Sequence, residues 1–223
     1  MTIVYLTFEL IGLYLLSRWL TQTLYGLFHA LFRTRSISVS LVTLLLFPGT
    51  VVHELSHLFT AEILGVRTGK LTLVPEGIQH EEIQTGSVAI AKTGPFRRSV
   101  IGLAPLIVGM LAVATLTYLY ANDVFVKNNI IITLYYYLLF SISTSMFPSA
   151  VDMAGVWQLM VTILIIAIGA GIAGFRIVLP ESPAFITTLV NNLTGSLGIV
   201  LAVNGIVLLF SRILIDVIRK SAH

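Results

Sequence analysis

Residues 40–63 read Ser40-Leu-Val-Thr-Leu-Leu-Leu-Phe-Pro-Gly-Thr-Val-Val-His-Glu-Leu-Ser-His-Leu-Phe-Thr-Ala-Glu-Ile63. The stretch holds no Lys, Arg or Asp, and at about 1.5 Å per residue it is long enough for a helix to cross ~30 Å of hydrocarbon. Inside it stands His53-Glu54-Leu55-Ser56-His57. On a helix, positions i and i+4 lie about 40° apart in rotation and one turn apart in height, so both imidazoles reach one point. Neutral imidazole nitrogens suit Zn²⁺, and two from one turn form a rigid chelate. Glu54 sits beside that point, placed to take a proton from a water activated there. The competing reading is a polar helix–helix contact, with both histidines bonded to neighbours. Such groups are costly in an apolar span and mark a functional site by default.

Composition agrees with a lipid setting. Of 223 residues, 57% are hydrophobic and 10% are charged, against roughly 25% charged in an ordinary soluble domain. Mean hydropathy is +0.97. These values exclude a soluble enzyme, a disordered tail and a nucleic-acid module, so no nucleic-acid partner is expected. The small positive excess, +3, reads as membrane orientation rather than affinity for acidic partners. Cysteine is absent, which removes disulfide and thiol chemistry. The start, Met1-Thr-Ile-Val-Tyr5, lacks a basic n-region, so the first apolar run is expected to stay as an anchor.

The pattern predicts one integral membrane domain over 1–223, an all-α polytopic protein with six spans near 3–24, 40–63, 99–121, 129–148, 155–178 and 193–217. Glu9 and Arg18 interrupt the first span, roughly 13 Å apart on a helix and too far to pair directly. Pro48-Gly49 reads as a kink before the histidines. The polar connection 64–98 carries Lys70-Leu-Thr-Leu-Val74 and Gly86-Ser-Val-Ala-Ile-Ala91 around Pro75-Glu-Gly77, which predicts a small β-hairpin. Ser182-Pro183 reads as the start of a short interfacial helix over 183–190. Six spans put both termini and the 64–98 connection on one side. That side collects Arg67, Lys70, Lys92, Arg97, Arg98, Arg219 and Lys220, against Arg33, Arg35, Lys127 and Arg176 on the other. Seven against four places both termini in the cytosol.

A zinc hydrolase needs a third ligand and an open position. Glu62 is about 140° round from His57 and cannot close on the same ion. Glu76, His80, Glu81 and Glu82 in the polar connection remain open. The better candidate is Asp152, in Ser145-Met-Phe-Pro-Ser-Ala-Val-Asp-Met-Ala-Gly155, because Pro148 breaks the helix just before it and frees backbone to aim a carboxylate inward. Its competing role is an N-cap of the fifth span.

A helix with His53-Glu54-x-x-His57, a polar β-like connection, then a helix pair ending in Pro148-x-x-x-Asp152-x-x-Gly155 resembles the site-2 protease family of intramembrane zinc metalloproteases. The resemblance covers about 40–155, with 1–35 and 156–223 as accessory helices. It departs from the family's Asn-Pro and Leu-Asp-Gly pattern, with Phe147 before the proline and Met153 after the aspartate. It implies a minimal member without a PDZ or CBS domain. His53, His57 and Asp152 would be zinc ligands and Glu54 the general base. The substrate would be a membrane protein with a transmembrane segment. The rival expectation is a metal-binding membrane protein without proteolytic activity, either a metal transporter or a scaffold that kept the fold.

Overall fold

The computed structural model describes residues 2–72, 87–91, 93–122, 128–172 and 184–221. Seven helices and one two-stranded sheet make up the described residues: α1 Thr2–Phe32, α2 Arg35–Leu45, α3 Phe47–Ile63, β1 Thr68–Thr72, β2 Ser87–Ile90, α4 Pro95–Ala121, α5 Asn129–Ser145, α6 Met153–Ile172 and α7 Ala184–Ser221. β1 and β2 pair antiparallel, Leu71 opposite Val88 and Thr72 opposite Ser87. The expected small sheet is therefore present, while Pro75–Gly77 lies outside the described residues.

The surface is apolar. Phe8, Trp19, Ile63, Ile130, Ile166, Ile172 and Ile206 are each more than half exposed, as lipid-facing side chains are. By length and composition, Pro95–Ala121 and Val190–Lys220 are apolar enough to cross a membrane, and α2 with α3 would make a third if counted as one span. Asn129–Ser145 and Val156–Gly169 are shorter apolar helices.

Span two is not one helix. α2 and α3 meet at Leu46 with a 72° bend. Pro48 is the cause: it has no N–H for the carbonyl of Leu44, and its ring opposes a helix running through that position. As the second residue of α3 it is tolerated, because that N–H would be unpaired in any case.

Helix directions also correct the six-span expectation. Glu9 faces Gly198, Gly12 faces Leu201 and Gly26 faces Ile215, a constant offset of 189 positions, so α1 and α7 run parallel. The Asn204 amide donates to Ser143 Oγ at 3.0 Å, and Leu197 and Val200 share a core with Tyr135 and Leu139, so α5 runs with α7. Gly49 lies against Ser141 and His53 against Ser145, so α3 runs with α5. Gly109 lies against Met146 and Tyr120 stacks on Tyr135, so α4 runs opposite. α1 and α3 thus finish at the same end of the bundle. The segment between them, α2 with α3, enters and leaves at that end as a broken re-entrant pair. Strict alternation over six spans would have made α1 and α7 antiparallel. Their parallel packing instead puts Thr2 and Ser221 at opposite ends, which overturns the expectation that both termini share a side.

Smaller expectations shift too. α7 is continuous from Ala184 and leaves no separate helix at 183–190. Tyr135 belongs to the core, 7% exposed with its ring 4.1 Å from that of Tyr120.

Candidate metal centre

The site sits where α3, the start of α4 and the turn after α5 converge. His57 Nε2 is 3.2 Å from His53 Nε2 and 3.3 Å from Asp152 Oδ1, and His53 Nε2 is 3.7 Å from Asp152 Oδ2. Among the described residues these three form a group that could hold a metal ion. Four ligands at the 2.0–2.1 Å typical of zinc, arranged tetrahedrally, stand about 3.3 Å from one another. The two separations from His57 Nε2 match that edge, and the 3.7 Å from His53 Nε2 to Asp152 Oδ2 is longer.

Each imidazole is oriented from behind. His53 Nδ1 lies 2.7 Å from the carbonyl of Ser145, and His57 Nδ1 lies 2.8 Å from the carbonyl of Ile101. A carbonyl only accepts, so both Nδ1 atoms carry hydrogen, and each ring in its neutral form turns an Nε2 lone pair inward. Two lone pairs and a carboxylate then face one point. They repel each other unless positive charge sits between them, and this is the observation on which a metal fits the site.

Both acceptors are carbonyls released from helices. The normal donor to Ile101 would be the amide of residue 105, which is Pro105 and has none. The normal donors to Ser145 would come from residues 148 and 149. Pro148 has no N–H, and the Ser149 N–H donates instead to Asp152 Oδ2 at 2.8 Å. The prolines therefore convert backbone oxygens into histidine supports.

Asp152 is aimed by a reciprocal turn. The Ser149 N–H and hydroxyl both donate to Oδ2, at 2.8 and 2.7 Å, while the Asp152 N–H points back to Ser149 Oγ at 3.4 Å. This is the capping-box arrangement, with Ser149 as cap and Asp152 three residues on. Asp152 also directly precedes α6, the position of the N-cap expected as its alternative role. One oxygen is anchored in the turn and Oδ1 is left toward His57. The backbone of Gly102 lies directly against the Asp152 carbonyl, where any side chain would push the turn away. Gly49 is pressed in the same way on Ser141, whose hydroxyl accepts the Gly49 N–H at 2.9 Å.

Glu54 is 5% exposed and lies within electrostatic reach of His53, His57 and Asp152. A cavity of about 170 Å³ opens onto the site, lined by His57, Ile101, Gly102, Asp152, Arg98 and the end of β2 at Ile90–Ala91. The structure thus brings together all four residues singled out from sequence. Glu62 is not part of the group, and Glu76, His80, Glu81 and Glu82 lie outside the described residues. Sequence reading missed Ile101, Ser145 and Ser149. Their signals were a proline four residues after a carbonyl, a proline just past a helix end, and Ser-x-x-Asp. No protein-family model, no curated protein and no solved structure matches this chain.

Proposed function

We propose that the chain is an intramembrane zinc metalloprotease of the site-2 protease type, cleaving membrane proteins in or near a transmembrane segment. The observation that supports this most is the convergence of His53 Nε2, His57 Nε2 and Asp152 Oδ1 beside a buried glutamate. A zinc ion at that point would polarise a peptide carbonyl and acidify a water. Glu54 accepts the proton as the water attacks and returns it to the leaving amide nitrogen. Ile101 and Ser145 keep the imidazoles from turning during that exchange, and Ser149 keeps Asp152 from swinging out. The cavity beside β2 admits a locally unwound peptide, since a helical substrate hides its carbonyls in i→i−4 bonds. A transporter would need ligating groups along a path through the bilayer; here they gather at one point, with a carboxylate that ion passage would not require.

The helix directions sharpen the orientation. Among the described residues, Arg33, Arg35, Arg67, Lys70, Arg97, Arg98, Arg219 and Lys220 belong to the end of the bundle that bears the site. The connections at the other end carry Lys127 and Arg176. This bias supports a reading with the metal end in the cytosol, the end of α7 inside and the start of α1 outside.

The test is cleavage of a single-span membrane protein by the purified chain in a bilayer. Cleavage should stop on chelation and return with zinc. Cleavage that persists in excess chelator, with zinc shown absent, contradicts the proposal.

A further inference from the structure

The cavity of about 170 Å³ beside the metal point is lined by one charged side chain that the proposed chemistry leaves unused, Arg98. It stands in the first turn of α4, which holds no acidic residue. Asp152, the carboxylate in the same wall, is turned to the two imidazoles and to Ser149. Among the described residues no hydrogen bond or ion pair engages the Arg98 guanidinium. Ile90, Ile101 and Val151 give the cavity apolar walls, and Thr93 adds a hydroxyl. Arg97, the next cation along the chain, is not part of this lining.

We infer that Arg98 binds a carboxylate of the peptide substrate, one that lies within two residues of the cleaved bond. The bond belongs to the protease reading, on which the inference rests; the carboxylate follows from the cavity itself. A guanidinium presents forked N–H donors that match both oxygens of a carboxylate. The positive end of α4 lies in the same turn and favours an anion there. The spacing comes from the helix. Ile101, whose carbonyl supports His57, and Gly102, which abuts the Asp152 turn, follow Arg98 by three and four residues. That is roughly 4.5–6 Å along the helix axis, while extended peptide advances about 3.3 Å per residue. A chain with one carbonyl at the metal point therefore brings a group one or two positions away to Arg98. The carboxylate has two possible sources, an acidic side chain or a chain end.

The experiment is fluorescence anisotropy of dye-tagged apolar peptides on the full chain carrying Glu54→Gln, loaded with zinc, in detergent. Four peptides share one uncharged sequence. Three are capped at both ends and carry Asp, Asn or Lys at the centre; the fourth is the Asn peptide with a free C-terminal carboxylate. The Asp peptide or the free-ended one should bind about tenfold tighter than the capped Asn peptide, the size of one charge-assisted hydrogen bond. The first result assigns a side chain and the second a chain end. Arg98→Gln should bring the ratio close to one, Arg98→Glu should turn it toward the Lys peptide, and Arg97→Gln should leave it intact. Circular dichroism and zinc content of each variant report the fold and the site. If Arg98→Gln does not fold, Arg98→Lys takes its place and should lose part of the preference, because charge remains without the fork. Equal binding of all four peptides overturns the inference. So does a preference that survives in Arg98→Gln, where the metal itself would hold the carboxylate, or one that falls equally in Arg97→Gln. With Glu54 restored, mass spectrometry should place the cut within two residues of the recognised carboxylate, and a cut farther away overturns the spacing. Binding through Arg98 without any cut contradicts the protease reading and supports the carboxylate site.

Discussion

His57 is held by the carbonyl that Pro105 releases: Nδ1 lies 2.8 Å from the oxygen of Ile101, four residues before the proline. Restoring an N–H at 105 gives that oxygen its helical donor back and makes it compete with the imidazole. Pro105→Ala should therefore weaken zinc binding about 10- to 100-fold, as loss of an outer-sphere partner does, while helix content holds or rises. Zinc competition against a chelator, alongside circular dichroism, reads both. Unchanged zinc affinity would show that the carbonyl does not orient His57.

Gly102 sets how closely α4 can approach the Asp152 turn. Gly102→Val puts a branched side chain into the Asp152 carbonyl and should cost most of the zinc affinity. Gly94→Val, where no heavy atom lies within 4 Å of a Cβ, should be close to neutral for zinc. Equal effects in the two variants would contradict the close approach as the cause.

Asp152 and Ser149 act as a unit. Asp152→Asn keeps the shape of the turn but loses the charge that offsets a divalent cation, so zinc affinity should fall strongly with little unfolding. Ser149→Ala removes one of two donors to Oδ2 and should cost about 1 kcal/mol, roughly fivefold in affinity. If Asp152→Asn binds zinc like wild type while a glutamine at Glu76, Glu81 or Glu82 does not, the third ligand is in the 64–98 connection.

Parallel packing of α1 and α7 predicts a membrane sidedness that can be read directly. The chain has no cysteine, so single replacements need no background removal. Thr2→Cys and Asn128→Cys should react with an impermeant maleimide added outside cells, and Arg67→Cys and Ser221→Cys only after lysis. Protection of Thr2→Cys together with Ser221→Cys would restore an arrangement with both ends inside.

What the sequence revealed and what it hid divide along the range of the interactions. The i, i+4 spacing of His53 and His57 is local, and a helix alone brings the rings together. Asp152 was legible because Pro148 marks where backbone is freed. The bend at Leu46 was half legible: Pro48 signalled a break, but a proline allows either a kinked span or a re-entrant pair. Only the finishing point of α1 decides between them, and that depends on Gly12 meeting Leu201 across 189 positions. The supports Ile101 and Ser145 were hidden for another reason. They act through backbone oxygens, so their side chains carry no chemical signature.

Zinc content and cleavage measured on one preparation of Glu54→Gln test the central claim most directly. The substitution keeps size and helix propensity, leaves His53, His57 and Asp152 in place, and removes the group that moves the proton. The account predicts one zinc per chain, as in wild type, with cleavage of a co-expressed single-span membrane protein reduced by about 10²-fold or more. Undiminished cleavage with zinc bound would contradict Glu54 as the base and, with it, the proposed chemistry.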